Sequence, residues 1–278
     1  MSIGNAIILG LTQGIAEFLP ISSSGHLSIL QNLFGLSSLE SNMFFDVLLH
    51  LGTLIAICFV YWEEILKMFN EVMAMLRGET VVTADGRRKP MYSARLFLLI
   101  CVATVPLLLI IPINDYIDLL NGKTLFVGVA LILTGFMLLV ADKMKQGEKT
   151  AKNSLFKDAL LIGLCQCVAT LPGISRSGAT ITAGIATGHR REFAVKFSML
   201  MSIPTVLGAT ILEFVKACKA GIDASLIPAY LVGMVVAMVS GVFAIRVIKH
   251  IAKNGSFGGF AYYCWIVGVL TVVLTLIF

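Results

Sequence analysis

Gly10-Leu11-Thr12-Gln13, then Pro20-Ile21-Ser22-Ser23-Ser24-Gly25, returns later in the chain as Gly163-Leu164-Cys165-Gln166, then Pro172-Gly173-Ile174-Ser175-Arg176-Ser177-Gly178. One offset carries Gln13 to Gln166 and Gly25 to Gly178, and only the proline slips, by one place. An apolar helix follows each copy, with Phe45-Asp46-Val47-Leu48 in the first and Phe197-Ser198-Met199-Leu200 in the second. The chain reads as a duplicated unit, with a first repeat over residues 1–141 and a second over 154–278 of one domain. Within each copy, a short apolar stretch is broken by proline, glycine and serine before a second short stretch begins. That pattern predicts a helical hairpin that enters the membrane without crossing it, over about residues 4–36 and 156–188.

The surrounding composition supplies the solvent. Apolar residues make up 58% of the chain and charged ones 13%, beyond what a soluble domain needs for its core. Six runs are long enough to cross hydrocarbon as helices: Met43–Tyr61, Ser93–Ile113, Leu125–Ala141, Ala194–Phe214, Leu226–Ile245 and Phe260–Phe278. None alternates as a spanning strand would. The expected fold is therefore an all-α polytopic membrane protein of six transmembrane helices and two re-entrant hairpins.

The formal charge of +5 does not point to nucleic acid, because the 21 Lys and Arg residues lie in short clusters between apolar runs. They report topology. Clusters at Lys67–Lys89, Lys143–Lys157, Arg190–Arg191 and Arg246–Lys253 mark inner loops, leaving Lys123, Lys216 and Lys219 for the outer side. No Lys or Arg precedes Lys67, so the charged n-region of a signal peptide is missing and the N-terminus is expected in the mature fold. Both termini should lie outside. The two hairpins then enter from opposite faces, as an inverted-topology repeat.

At each tip, proline halts the incoming helix, glycine permits close backbone approach, and serine caps the outgoing helix. Two helix N-termini directed at each other form an anion site. Ionisable residues within such hairpins are costly, and Glu17, His26 and Arg176 all stand within a few residues of the tips. Structural readings sit beside the chemical one: a buried Glu17–Arg176 pair, serines as caps, and Gln13 and Gln166 in helix-to-helix hydrogen bonds. Asp46 and His50 are weaker candidates, and pairing with a polar neighbour is the simpler role for Asp46. His189 and His250 flank basic helix ends, where an interfacial role suffices. Cys58, Cys101, Cys165, Cys167, Cys218 and Cys264 lack metal-ligand spacing and read, like the Met-rich segments Met68–Met75 and Met199–Met201, as packing. The run Gly86-Arg87-Arg88-Lys89 reads as an orienting, lipid-facing cluster.

Gln13-x-x-x-Glu17 with Pro20-Ile21-Ser22-Ser23-Ser24-Gly25-His26, and Pro172-Gly173-Ile174-Ser175-Arg176-Ser177-Gly178-Ala179-Thr180, resemble the two signature motifs of the undecaprenyl-diphosphatase (bacitracin-resistance) family. The resemblance covers nearly the whole chain. It implies an enzyme of the bacterial plasma membrane that hydrolyses a C55 polyprenyl diphosphate to the monophosphate carrier lipid used in wall synthesis. It also implies a divalent cation, Mg²⁺ or Ca²⁺, with Glu17 as base or ligand. Gln13 stands where some members carry Glu, so one carboxylate is absent, and Ser24 stands where threonine also occurs.

On this reading Glu17, Ser23, His26 and Arg176 are catalytic. Gln13, Ser22, Ser24, Gly25, Gln166, Gly173, Ser175, Ser177, Gly178 and Thr180 hold the diphosphate. Arg176 suits phosphate through its planar fork of donors. The nucleophile stays open among Ser23, activated by His26, His26 itself, and water, with Ser23 preferred. Partners are the prenyl diphosphate and membrane lipid, with a homodimer possible and no nucleic acid. A secondary transporter or lipid flippase built on the same inverted anion site is the rival reading.

Overall fold

The computed structural model describes all residues except 37–38, 80, 83–87, 90, 146, 221–222 and 278, and no side chains at 39–42, 81–82, 88–89, 115, 118, 121 and 220. Twelve α-helices are found among the described residues. They are α1 Ile3–Phe18, α2 Ser23–Leu33, α3 Leu39–Val60, α4 Trp62–Leu76, α5 Tyr92–Thr104, α6 Asn114–Asn121, α7 Thr124–Lys143, α8 Phe156–Val168, α9 Arg176–Ala186, α10 Arg191–Ala220, α11 Ile227–Asn254 and α12 Gly258–Ile277. Outside the helices, β1 Val81–Val82 pairs antiparallel with β2 Arg88–Lys89. Of the basic run, Gly86 and Arg87 thus lie outside the described residues, as does Phe278.

Six stretches are long and apolar enough to cross a bilayer: Met43–Val60, Tyr92–Ile113, Thr124–Lys143, Arg191–Lys219, Ala224–Asn254 and Gly258–Ile277. The chain is a multi-pass membrane protein. Several helices run past the apolar limits read from sequence, α10 by starting at Arg191 and α11 by ending at Asn254. Hydropathy marks only the hydrocarbon, whereas helical hydrogen bonding continues into the headgroup zone, where Lys and Arg are at home.

The motif helices are short. α1 has 16 residues, α8 has 13, and α2 and α9 have 11 each. Ser2 caps α1, its Oγ accepting from the Asn5 N–H at 3.1 Å. Leu19, forced toward extended backbone by the following proline, ends α1 at φ −72° and ψ 145°. The base of the second pair is tied by Lys149, whose ammonium meets Asp158 at 2.8 Å and whose backbone bonds Gly188 and Arg190. His189, buried and hydrogen-bonded to Gly184, Thr187 and Ser154, completes that knot, so its role is internal rather than interfacial.

Association inside a bilayer relies on close packing, because lipid tails are as apolar as leucine. α1 therefore lies against α11 through residues without bulk. A Cβ at Gly10 would come 2.5 Å from the Gly233 carbonyl oxygen, and one at Gly14 would come 2.0 Å from Ser240 Oγ and 2.4 Å from the Ala237 carbonyl oxygen. Both contacts are too short, so α1 would have to lift off. Phe18, at the end of α1, enters the main core with Ile57, Leu99, Phe197 and Met201. Anchoring of α1 by its glycines thus sets where Glu17 sits. Gly208, in α10, faces open space. Gly14→Ala should destabilise the protein by about 1–3 kcal/mol through overpacking, whereas Gly208→Ala should be neutral or slightly stabilising. Thermal unfolding of both variants in detergent checks the contrast, and equal melting temperatures would remove the packing argument.

Candidate active site

The two broken turns meet. Ser22 caps α2, its Oγ accepting from the Gly25 N–H at 3.3 Å, and Ser175 caps α9 in the same way from Gly178 at 3.1 Å. The next-but-one serine repeats too, with Ser22 and Ser24 hydroxyls 3.4 Å apart and Ser175 and Ser177 hydroxyls 3.2 Å apart. The turns differ where the proline slips. Gly173 adopts φ +89°, which glycine tolerates, but its counterpart is Pro20, whose ring fixes φ near −65°. The reversal in the first copy is displaced to Ser22 at φ +72°, the only non-glycine residue with positive φ among those described. Such backbone persists where the surroundings enforce it.

Contacts between the copies are direct. Gly173 donates its N–H to Ser24 Oγ at 3.5 Å, and Ser177 Oγ donates to the Leu19 carbonyl at 3.3 Å. A Cβ on Gly173 would meet the Val127 carbonyl oxygen at 2.6 Å, so only glycine lets the tip sit against α7. Thr134 of α7 stitches that tip, donating to the Gly173 carbonyl and accepting from the Ser175 N–H, both at 3.1 Å.

Ser23 and Arg176 occupy equivalent places, each the first residue of its outgoing helix. Between them lies Glu17. Arg176 Nη2 donates to Glu17 Oε1, Ser23 Oγ donates to Glu17 Oε2 at 2.6 Å, and Gln13 Nε2 donates to the same Oε2 at 3.2 Å. Glu17 and Gln13 are buried, whereas Ser23 and His26 are half-buried and Ser24 is exposed. The carboxylate is thus enclosed by its partners, and of the serines around it Ser24 is the exposed one.

His26 is placed differently from the expectation that it activates Ser23. Its Nδ1 lies 2.8 Å from the Ser22 carbonyl, which can only accept, so Nδ1 carries the proton and Nε2 faces Tyr263 Oη at 2.8 Å. The rings stack, with centroids 5.5 Å apart. The partner of the Ser23 hydroxyl is Glu17. Tyr263 and Thr134 were not legible as site residues, since each is one polar group in an apolar helix far away in sequence.

Other residues singled out from the sequence have partners of their own. Gln13 bonds within its own helix, and its Oε1 is buried with no hydrogen-bond partner among the described residues. Gln166 does make the helix-to-helix bond, accepting from Thr205 Oγ1 of α10 at 3.3 Å. Thr180 is held by Ser198 Oγ of α10 at 2.6 Å and by the Arg176 carbonyl. Asp46 accepts from Gln31 Nε2 at 2.9 Å, a polar neighbour as expected, and His50 Nδ1 donates to the Asp46 carbonyl at 2.8 Å.

The donors do not form a cation cage by themselves. Among the described residues no three His, Cys, Asp or Glu side chains are placed to hold a metal ion, and both Glu17 oxygens already hold Arg176, Ser23 and Gln13. A Mg²⁺ or Ca²⁺ ion takes six or more oxygens, and Arg176 already neutralises the one carboxylate.

Residues 6–270 match the family model described as bacitracin resistance protein BacA. A protein of Carboxydothermus hydrogenoformans named undecaprenyl-diphosphatase is 42% identical over 277 residues, covering 97% of this chain and 96% of that protein. Proteins of the same name from Methanosphaera stadtmanae and Alkaliphilus metalliredigens are each 37% identical, over 100% of this chain and 99% and 100% of theirs. Matched from α1 to α12 and aligned end to end with these relatives, the chain belongs to the BacA family.

Proposed function

We propose that this protein hydrolyses undecaprenyl diphosphate to undecaprenyl monophosphate and inorganic phosphate, with Ser23 as nucleophile and Glu17 as its base. The observation that carries the mechanism is the 2.6 Å hydrogen bond from Ser23 Oγ to Glu17 Oε2. A carrier of anions needs no hydroxyl held against a buried carboxylate, and that contact favours the enzyme over the transporter.

The diphosphate lies where the N-termini of α2 and α9 converge, the positive ends of two helices. Arg176 keeps one Nη2 donor on Glu17 and turns its remaining N–H groups to the terminal phosphate. Ser24 and the backbone amides of the turns take the other oxygens, while the prenyl chain stays in lipid. Ser23 Oγ attacks the terminal phosphorus in line, and its proton passes to Glu17 Oε2. The bond from that phosphorus to the bridging oxygen breaks, and the electron pair leaves on the lipid monophosphate. Water then attacks the phosphoserine and gives its proton to His26 Nε2, while Glu17 returns the first proton to Ser23 Oγ as inorganic phosphate departs. His26, fixed by Ser22 and Tyr263, stands three residues along α2 from Ser23, on the same helix face. These steps use side chains of this chain alone. Mg²⁺ or Ca²⁺ would be held by oxygens of the diphosphate and would neutralise the charge that develops on the departing phosphate.

Phosphate release from undecaprenyl diphosphate by protein purified in detergent tests this. Glu17→Gln and Ser23→Ala should lower turnover by about 10²-fold or more. Arg176→Lys, which retains charge but loses the fork, should lower it by about 10²–10³-fold. Mass spectrometry of acid-quenched enzyme should find phosphate on Ser23. Unchanged release in all three variants would remove the mechanism.

A cation carried by the substrate makes its own prediction. Protein without substrate should take up no Mg²⁺ or Ca²⁺ by calorimetry, and the half-saturating cation concentration in turnover should follow the diphosphate concentration. Tight uptake by the protein alone would contradict this.

The membrane arrangement belongs to the same proposal. At ~1.5 Å per residue, α1 is roughly 24 Å long, less than the ~30 Å of hydrocarbon, and α2, α8 and α9 are shorter still. Such helices, turning back at Pro20 and Pro172, suit re-entrant hairpins over 4–36 and 156–188 in halves 1–141 and 154–278. Basic clusters on one side support inverted entry with both termini outside, in a bacterial plasma membrane. Epitope tags at either terminus should be labelled on intact cells, whereas a cysteine at Lys152 should react with an impermeant thiol reagent only after permeabilisation. The reverse pattern would overturn the topology.

A further inference from the structure

At one end of the bundle, where α3 and α11 finish and α5 and α10 begin, a cavity of about 470 Å³ is lined by Tyr61, Arg190, Lys196, Lys249 and Lys253. None of these belongs to the Glu17–Arg176 site. Glu64 and Glu192 also line it, and Lys196 is paired with Glu64 at 3.3 Å. Arg190, Lys249 and Lys253 therefore face the space with Glu192 as the remaining opposing charge.

The cavity also holds an unpartnered donor. Tyr61 is 1% exposed, and its Oη has no hydrogen-bond partner among the described residues. Burial and the nearby Glu64 carboxylate push its phenol above the ordinary range, so the hydroxyl keeps a proton that it can donate. Lys249 Nζ stands 4.9 Å from the centroid of the same ring. A buried phenol donor beside three cations, with Glu192 as the one carboxylate left to oppose them in the cavity, suits an anion with several oxygens.

Position identifies its source. The bordering spans end at Val60 and Asn254 and start at Tyr92 and Arg191, so the cavity lies at headgroup depth. A groove of about 660 Å³ adjoins it, sharing Glu64 and Lys249 and lined further by Glu63, Phe59 and Trp62, the last two 68% and 56% exposed. Tryptophan beside lysine at a span end is how membrane proteins meet the interface. We propose that this is a binding site for an anionic phospholipid. Its phosphate contacts Lys249, Lys253 and Arg190, accepts the Tyr61 hydroxyl, and leaves an acyl chain along Phe59 and Trp62. Basic pockets between helices at this depth bind acidic headgroups by the same physics.

Native mass spectrometry of the full chain, titrated separately with phosphatidylglycerol, phosphatidylcholine and inorganic phosphate, tests the assignment. The wild type should take up one phosphatidylglycerol at roughly ten- to thirty-fold lower concentration than phosphatidylcholine. The double variant Lys249→Gln, Lys253→Gln should erase that preference, and Tyr61→Phe, which keeps the ring, should weaken it several-fold. Hydrolysis of undecaprenyl diphosphate in detergent should continue in both variants. Equal uptake of the two lipids by the wild type would overturn the proposal without any variant having to fold. Saturation by inorganic phosphate with no lipid preference would assign the cavity to a free anion instead, and an unchanged preference in the double variant would place the lipid elsewhere.

Discussion

A carboxylate and a guanidinium inside a membrane-embedded bundle are tolerable only together, and here they come from different halves of the chain. Glu17 ends the first helix, Arg176 begins the ninth, and each is the other's partner. Removing either would leave a charge in a medium that cannot solvate it. Close to this pair, Ser24 with Gly173 and Ser177 with Leu19 are neutral hydrogen bonds between the copies that set distance and register around it. Stability and chemistry therefore rest on the same atoms. The carboxylate that pairs with Arg176 also holds the Ser23 hydroxyl.

Duplication explains how such a site arises from one simple unit. At the repeat offset, Glu17 corresponds to Thr170, Ser23 to Arg176 and His26 to Ala179. The capping serines and tip glycines are kept in both copies because each hairpin needs them to turn. The residues that differ are those to which the proposed mechanism gives chemistry, which would put base and nucleophile in one copy and the phosphate-holding arginine in the other. A symmetric pair of arginines or glutamates at the junction would have put like charges together in low dielectric.

Most of this was legible from sequence because two signals were physical necessities. Hydrocarbon demands long apolar helices, and a chain that reverses between short helices demands proline, glycine and serine at fixed places. The pairing of Glu17 with Arg176 could be anticipated because lone charges there have no alternative. The partners that escaped notice have weaker signatures. Tyr263 and Thr134 sit in apolar helices where only the folded packing shows which way they point. Gln13 bonds Glu17 along its own helix, a spacing the sequence shows, but a bond to a neighbouring helix was equally compatible with it. The displaced reversal at Ser22 follows from proline's fixed φ, yet the residue that would absorb it was not deducible without coordinates.

The central claim is that Glu17 and Arg176 are one buried interaction joining the two copies. A double-mutant cycle on thermal stability in detergent measures it directly, using Glu17→Gln, Arg176→Gln and their combination. Each single change should destabilise the protein by about 3–5 kcal/mol, and the combined variant should be more stable than either single one, because no charge is left unpaired. Losses that simply add would mean that the two residues do not meet, and would contradict the account.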